Sequence, residues 1–185
     1  MLALLLIIGN TAGLWEKWFG ITFHNQYLLF DNKWGSDRGF TWKAAAGMFA
    51  EMTPLRKLFG AGPDCFKAYS YSIPEYADLL YQYWKPNILT NAHNEFLNLL
   101  ICIGIVGLLA FLAMLGMGVW RFFKAWEKNS EGTENTWLSA FVLAGMLSIL
   151  AYAGHNFFCY QQVCCTPFLF IVMGLAESAV RINER

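Results

Sequence analysis

The stretch FLNLLICIGIVGLLAFLAMLGMGVW, Phe96–Trp120, contains no Asp, Glu, Lys or Arg. As a helix rising 1.5 Å per residue it extends roughly 37 Å, which crosses a hydrocarbon core of about 30 Å with some tilt. A helix in a soluble core keeps a polar face over such a length. This one has none, so it reads as a membrane span, and the fold class follows: an all-α, polytopic membrane protein.

The flanks repeat the pattern. Met1–Trp15 and Trp137–Leu175 are also free of acidic and basic side chains. The second of these is about twice the length of one span and is broken by the polar run Gly154–Gln162, so it reads as two spans and a turn. Of the whole chain 57% is hydrophobic and 14% charged, against about 25% charged in an ordinary soluble domain. Net charge is zero, which gives no sign of a nucleic-acid partner or a polybasic membrane anchor. Five cysteines, mostly in apolar segments, do not make a secreted disulfide framework. Cys65 and Cys159 can lie on one side, but nothing in the sequence pairs them, and inert thiols are expected.

Orientation comes from the short charged connector. Arg121, Lys124 and Lys128 place it in the cytoplasm by the positive-inside rule, and Arg181 and Arg185 agree. Alternation then predicts residues 1–8 as the end of a membrane helix, 9–92 as an external loop and 93–120 as a span. A cytoplasmic connector at 121–136, a span at 137–154, an external turn at 155–162, a span at 163–180 and a cytoplasmic tail at 181–185 complete the chain. The loop holds eight basic and seven acidic residues; long loops cross largely regardless of charge. Leu2–Ile8 has neither the length of a span nor the basic start of a signal peptide. It reads as the last turns of a longer helix, with the expectation that the chain is part of a larger protein and inactive alone.

Within the loop, Ile21–Phe30 reads as extended. A helix is expected at Thr41–Glu51, with Trp42, Ala45, Met48, Phe49 and Met52 at helical spacing and Pro54 beyond its end. Gly60-Ala61-Gly62-Pro63 reads as a turn. Tyr69–Trp84, rich in aromatics, is expected to form a helix at headgroup level.

His93-Asn94 is followed after nine residues by Gly104 and then by Gly107. At 100° per residue these glycines fall about 20° and 40° either side of the histidine. Small residues on a membrane helix let another backbone approach closely. An ionisable group thus stands at the mouth of a tight seam. On spacing alone, an interfacial histidine above an ordinary packing face is the preferred account of the pattern.

His-Asn-x9-Gly-x-x-Gly resembles the motif of the O-antigen ligase and polymerase superfamily. Arg38-Gly39-Phe40-Thr41-Trp42, then Pro54 and Leu58-Phe59-Gly60-Ala61-Gly62-Pro63-Asp64-Cys65-Phe66, is similar to that family's external loop, and Asn91–Leu97 to its loop-to-helix junction. The resemblance covers roughly Arg38 to Leu175, the C-terminal portion of the family's fold. It implies a multi-pass glycosyltransferase of the bacterial cytoplasmic membrane, acting on the outer face in surface polysaccharide biosynthesis, as ligase or polymerase. The donor it implies is an undecaprenyl-pyrophosphate-linked glycan. The acceptor is a hydroxyl of a glycan, lipid or protein, and no metal or other cofactor is used. His93 would be the general base or an acceptor-orienting group, and Arg38 the pyrophosphate clamp. The residue types suit these roles: imidazole exchanges a proton near neutral pH, and guanidinium grips phosphate through a planar fork.

Asn94, Arg56, Lys57 and His155 are the expected substrate-binding residues around this pair. For Arg56 and Lys57 a solvated charged turn is the competing reading, as it is for Lys43. For His155 the competing reading is a lone interfacial histidine. His24 is expected to face solvent. His155, Cys159, Cys164 and Cys165 match no usual zinc spacing, and no metal site is expected. The rival function is a non-catalytic polytopic protein, a transporter piece or assembly subunit. Transporters place charges and broken helices at mid-membrane, whereas these spans carry no charge.

Overall fold

The computed structural model describes residues 2–23, 25, 27–130, 136–162 and 164–184, and among them every regular element is an α-helix. Helices α1 (Leu2–Thr11) and α2 (Leu14–Phe19) form a small N-terminal unit. Next come α3 (Trp34–Glu51), α4 (Pro54–Phe59), α5 (Phe66–Ser72) and α6 (Pro74–Trp84). The chain ends in three longer helices, α7 (Glu95–Ser130), α8 (Thr136–Phe158) and α9 (Thr166–Asn183).

Two of these, α7 and α8, are long and apolar enough to cross a membrane. They pack together with α9 around Leu115, Phe122, Leu138, Val142, Ile149 and Ala176. Outside that seam the apolar side chains stay uncovered, with Leu109, Met117 and Leu147 more than half exposed (59%, 63% and 52%). An apolar belt of this kind marks a surface made for a membrane or for another protein. The helix of α7 does not stop at Trp120: it continues through Arg121, Lys124 and Lys128 to Ser130. The expected connector is therefore largely helical, and residues 131–135 of it lie outside the described residues, as does Arg185 of the tail. At this end Arg121 binds Glu184 through both terminal nitrogens (3.0 and 2.7 Å) and Glu177 through Nε (3.2 Å). Arg181 shares Glu177 at 2.7 Å, so the ends of α7 and α9 are cross-linked by charge.

A second core gathers the short helices against the first turns of α7. Phe40, Ala45, Met48, Met52, Phe66, Leu80, Ile101 and Cys102 are buried in it. The expected helix at Thr41–Glu51 is present within α3, with Ala45, Met48 and Met52 on its buried side. Tyr69, Tyr71, Tyr76, Tyr83 and Trp84 pack onto the same core, so most of the aromatic-rich segment is turned inward rather than laid on a lipid surface. It forms two helices, because Pro74 starts α6 at its first turn.

The expected extended stretch at Ile21–Phe30 forms no strand among its described residues; His24 and Gln26 lie outside them. A strand needs a neighbour for its backbone groups. Here the Asn10 side chain takes that role: its amide donates to Phe23 O (2.8 Å) and Leu28 O (3.0 Å), and its oxygen accepts from Phe23 N–H (3.1 Å). All five cysteines, Cys65 and Cys159 included, are free.

Candidate active site at the head of α7

Helix α7 begins at a side-chain cap. Asn94 Oδ1 accepts the Leu97 N–H at 2.9 Å, which satisfies one of the free donors at a helix start. The residue before it, His93, has φ 49 and is held there by its N–H donating to Asn91 Oδ1 at 2.9 Å. Histidine is among the residue types that enter this left-handed region more readily than most. The imidazole is half-buried between two rings. Trp84 lies nearly parallel to it (centroids 6.2 Å apart, 27°), and Tyr160 meets it edge-on (5.8 Å, 73°). Neither ring nitrogen has a hydrogen-bond partner among the described residues, so both stay available to a ligand.

Arg38 reaches the same place from α3. Gly35, Ser36 and Asp37 are all left-handed (φ 61, 62 and 68), a sharp turn that ends as regular helix begins at Arg38. The turn is pinned by Tyr83, whose hydroxyl donates to Asp37 Oδ1 at 2.7 Å and whose ring stacks on Phe40 at 3.7 Å. Burial and then this carboxylate push the Tyr83 hydroxyl up to about 12, so it remains a donor across the working pH range. Arg38 Nε donates to Phe158 O at 2.8 Å and Nη1 to Gly35 O. Nη2 is uncommitted among the described residues, and no described carboxylate pairs with the guanidinium.

Burial, and after it the positive charge of Arg38, hold His93 below its usual value of 6.5. The imidazole is therefore neutral at pH 7 and can accept a proton. Replacing Arg38 by glutamine removes the second cause and leaves the first. The His93 midpoint is expected to rise while staying below 6.5, measured by titrating the three histidines with carbon-13 NMR. An unchanged midpoint would separate the two residues electrostatically.

Three side chains of the motif region converge on one turn, residues 157–161. Arg38 binds Phe158 O, Asn94 Nδ2 donates to Phe157 O at 2.8 Å, and Glu95 Oε2 accepts the Gln161 N–H at 3.0 Å. That turn carries Tyr160 against His93. Glu95 is only 3% exposed and stands at the head of a span that otherwise lacks charge, a signal legible in the sequence. Trp84 and Tyr160 had no such signal, since aromatics are common throughout the chain. Glu95→Ala leaves the Gln161 amide without its acceptor and is expected to cost about 1–3 kcal/mol. Thermal unfolding and hydrogen exchange at Gln161 read this, and Glu95→Gln, which keeps an acceptor oxygen, is expected to restore most of it.

The other expected residues are placed differently. Asn94 is buried, with its amide committed to the turn and its oxygen to the cap. Arg56 is exposed on α4 and lies over the Tyr69 ring, 5.5 Å from its centroid. Lys57 lies beside it on α4, half-buried. His155 is exposed near the end of α8, its Nδ1 3.5 Å from Asn156 Oδ1. No described contact joins Arg56, Lys57 or His155 to His93. Among the described residues, no group of His, Cys, Asp and Glu is arranged to hold a metal ion.

Gly104 departs from the expected smooth helix face. Its φ of 71 and ψ of −172 break the helix, and the backbone that approaches is the chain's own Leu58–Gly62. Ala61 N–H donates to Ile101 O (2.8 Å) and Gly62 N–H to Cys102 O (2.9 Å). Carbonyls of the broken turn thereby bind the loop, and α7 and the loop core become one body.

A helical pair long and apolar enough to cross a membrane, with His93 and Arg38 gathered at one end of it, fits a membrane protein with a polar candidate site at that end. The model of the O-antigen ligase family matches residues 1–112, more than half of the chain, and the protein belongs to that family. The match starts well before Arg38 and ends inside α7 at Leu112. No curated protein and no solved structure matches the chain.

Proposed function

We propose that the protein is a membrane glycosyltransferase that moves a glycan from undecaprenyl pyrophosphate to an acceptor hydroxyl during surface polysaccharide synthesis. Its active site would face the outer side of the bacterial cytoplasmic membrane. The observation that carries this reading is the His93–Arg38 pair: a neutral, half-buried imidazole with both nitrogens open, beside a cation with donors to spare. His93 takes the proton of the acceptor hydroxyl as its oxygen bonds to the anomeric carbon of the donor. The bond from that carbon to the pyrophosphate oxygen breaks, and the carrier pyrophosphate leaves with the electron pair. Arg38 offsets the charge that builds there, through the hydrogens of Nη1 and Nη2 not given to the backbone. Arg56, Lys57 and His155, which no described contact joins to His93, would bind portions of the donor or acceptor away from the reacting bond.

One observation favours a second, non-catalytic reading. Arg38 and Asn94 already spend hydrogen bonds on the 157–158 carbonyls, as scaffold residues do. Transfer of radiolabelled glycan in membranes carrying the full-length protein, wild type or His93→Ala, separates the two. Loss of transfer with intact folding supports the enzyme; transfer at the wild-type rate leaves the scaffold.

A further inference from the structure

Next to His93, and lined by neither His93 nor Arg38, lies a cleft of about 890 Å³ between the loop core, α7 and the start of α9. It meets the site just described through Asn91, whose oxygen holds the His93 N–H, and through Tyr160, whose ring touches the imidazole. We infer that this cleft binds an uncharged, hydroxyl-rich sugar of the acceptor, while phosphate is held apart from it at Arg38. This rests on the glycosyltransferase reading and adds to it the division of the site.

The lining decides the class of ligand. It contains two carboxylates, Asp64 and Glu95, and no lysine, arginine or histidine. A pyrophosphate placed there finds no cation among the described lining residues, whereas at Arg38 it meets one. The other polar groups are carboxamides and hydroxyls, among them Asn98 and Gln162. Such groups both donate and accept, as a ring of sugar hydroxyls demands. Asn98 stands beside Glu95 in this lining, its side-chain amide engaged with the carboxylate. Tyr160, 39% exposed, offers a ring face on which the C–H side of a sugar can lie. Phe170 and Leu99 continue that apolar wall. A wholly apolar groove would suit a lipid tail, and a basic one a phosphate; this lining is mixed and holds no cation among its described residues.

The test needs binding and no turnover. The full chain in lipid nanodiscs is titrated with maltotetraose, with chitotetraose and with inorganic pyrophosphate. Saturation-transfer NMR reads the sugars and phosphorus line broadening reads the pyrophosphate. The expected result is saturation transfer to a neutral sugar that is lost in Tyr160→Ala and kept in Tyr160→Phe. Pyrophosphate broadening is expected to follow Arg38 and to ignore Tyr160. If Tyr160→Ala fails to fold, Tyr160→Leu removes the ring face while keeping apolar bulk. The inference is overturned if neither sugar binds, if binding survives both truncations, or if pyrophosphate displaces the sugar. These outcomes stand apart from the transfer assay, which judges His93 whatever the cleft holds.

Discussion

His93→Ala is expected to slow glycan transfer by roughly 10²–10⁴-fold, the usual contribution of a positioned general base. The size follows from what is removed. A sugar hydroxyl is a poor nucleophile while it keeps its proton, and this imidazole can take that proton because burial and Arg38 keep it neutral. The same cause fixes the pH dependence. With a folded value below 6.5, activity is expected to hold through neutral pH and to fall as the pH drops through that lowered midpoint. Stability takes the same sign. A histidine that protonates less readily folded than unfolded stabilises the fold fully above 6.5, and that contribution is lost as pH falls toward the folded value. His93→Gln separates proton transfer from packing, since it keeps polar bulk between Trp84 and Tyr160 without basicity. Rates are to be measured at saturating donor, so that the loss appears in kcat. A loss confined to KM would make His93 a binding residue instead.

What could be read from residue order, and what could not, divides along physical lines. The span at the centre of α7 is legible because solvent alone dictates it: a long run without charge has one stable environment. The buried side of α3 is legible for a similar reason, since Ala45, Met48 and Met52 recur at the helical period. The Tyr69–Trp84 segment is different. Aromatic side chains suit a headgroup layer and a protein core alike, and only the partners, Phe40, Met48 and Ile101, decide between them. The candidate pair was visible as residue types near a motif. Its arrangement depends on the 157–161 turn, some 120 residues from Arg38, and on a left-handed turn at Gly35–Asp37 that no periodicity encodes. The sequence marks Gly104 by its smallness, yet its use is conformational. An angular count around an ideal helix takes for granted the regularity that this residue ends.

That use leads to the largest expected loss of stability. Gly104 has φ 71 and ψ −172, a region that essentially only glycine occupies. A methyl group there would strike the Leu58 carbonyl and lie 2.6 Å from Gly60 N, both backbone atoms that no rotamer change can move. Gly60, at φ 80, faces it across the contact, and a methyl on Gly60 would strike the Cys102 carbonyl. Gly104→Ala therefore carries about 1–3 kcal/mol of backbone strain. Parting the segments also loses the Ala61–Ile101 and Gly62–Cys102 hydrogen bonds, at about 1 kcal/mol each. A total near 3–5 kcal/mol is a large share of the roughly 5–15 kcal/mol that holds a domain folded. Gly116 supplies the control: a methyl there meets nothing within 4 Å, and alanine in a helix interior gains about 0.5–1 kcal/mol over glycine. Unfolding in nanodiscs, followed by tryptophan fluorescence, is expected to rank Gly104→Ala and Gly60→Ala well below wild type and Gly116→Ala at or above it. The damage should also be directional. The α7–α8–α9 seam around Val142 and Ile149 does not include Gly104, so the loop core should open first and the spans stay paired. Equal stability of Gly104→Ala and wild type would mean that α7 runs straight through this point and that the loop is not anchored to it, and His93 would then lose the support that fixes it beside Arg38.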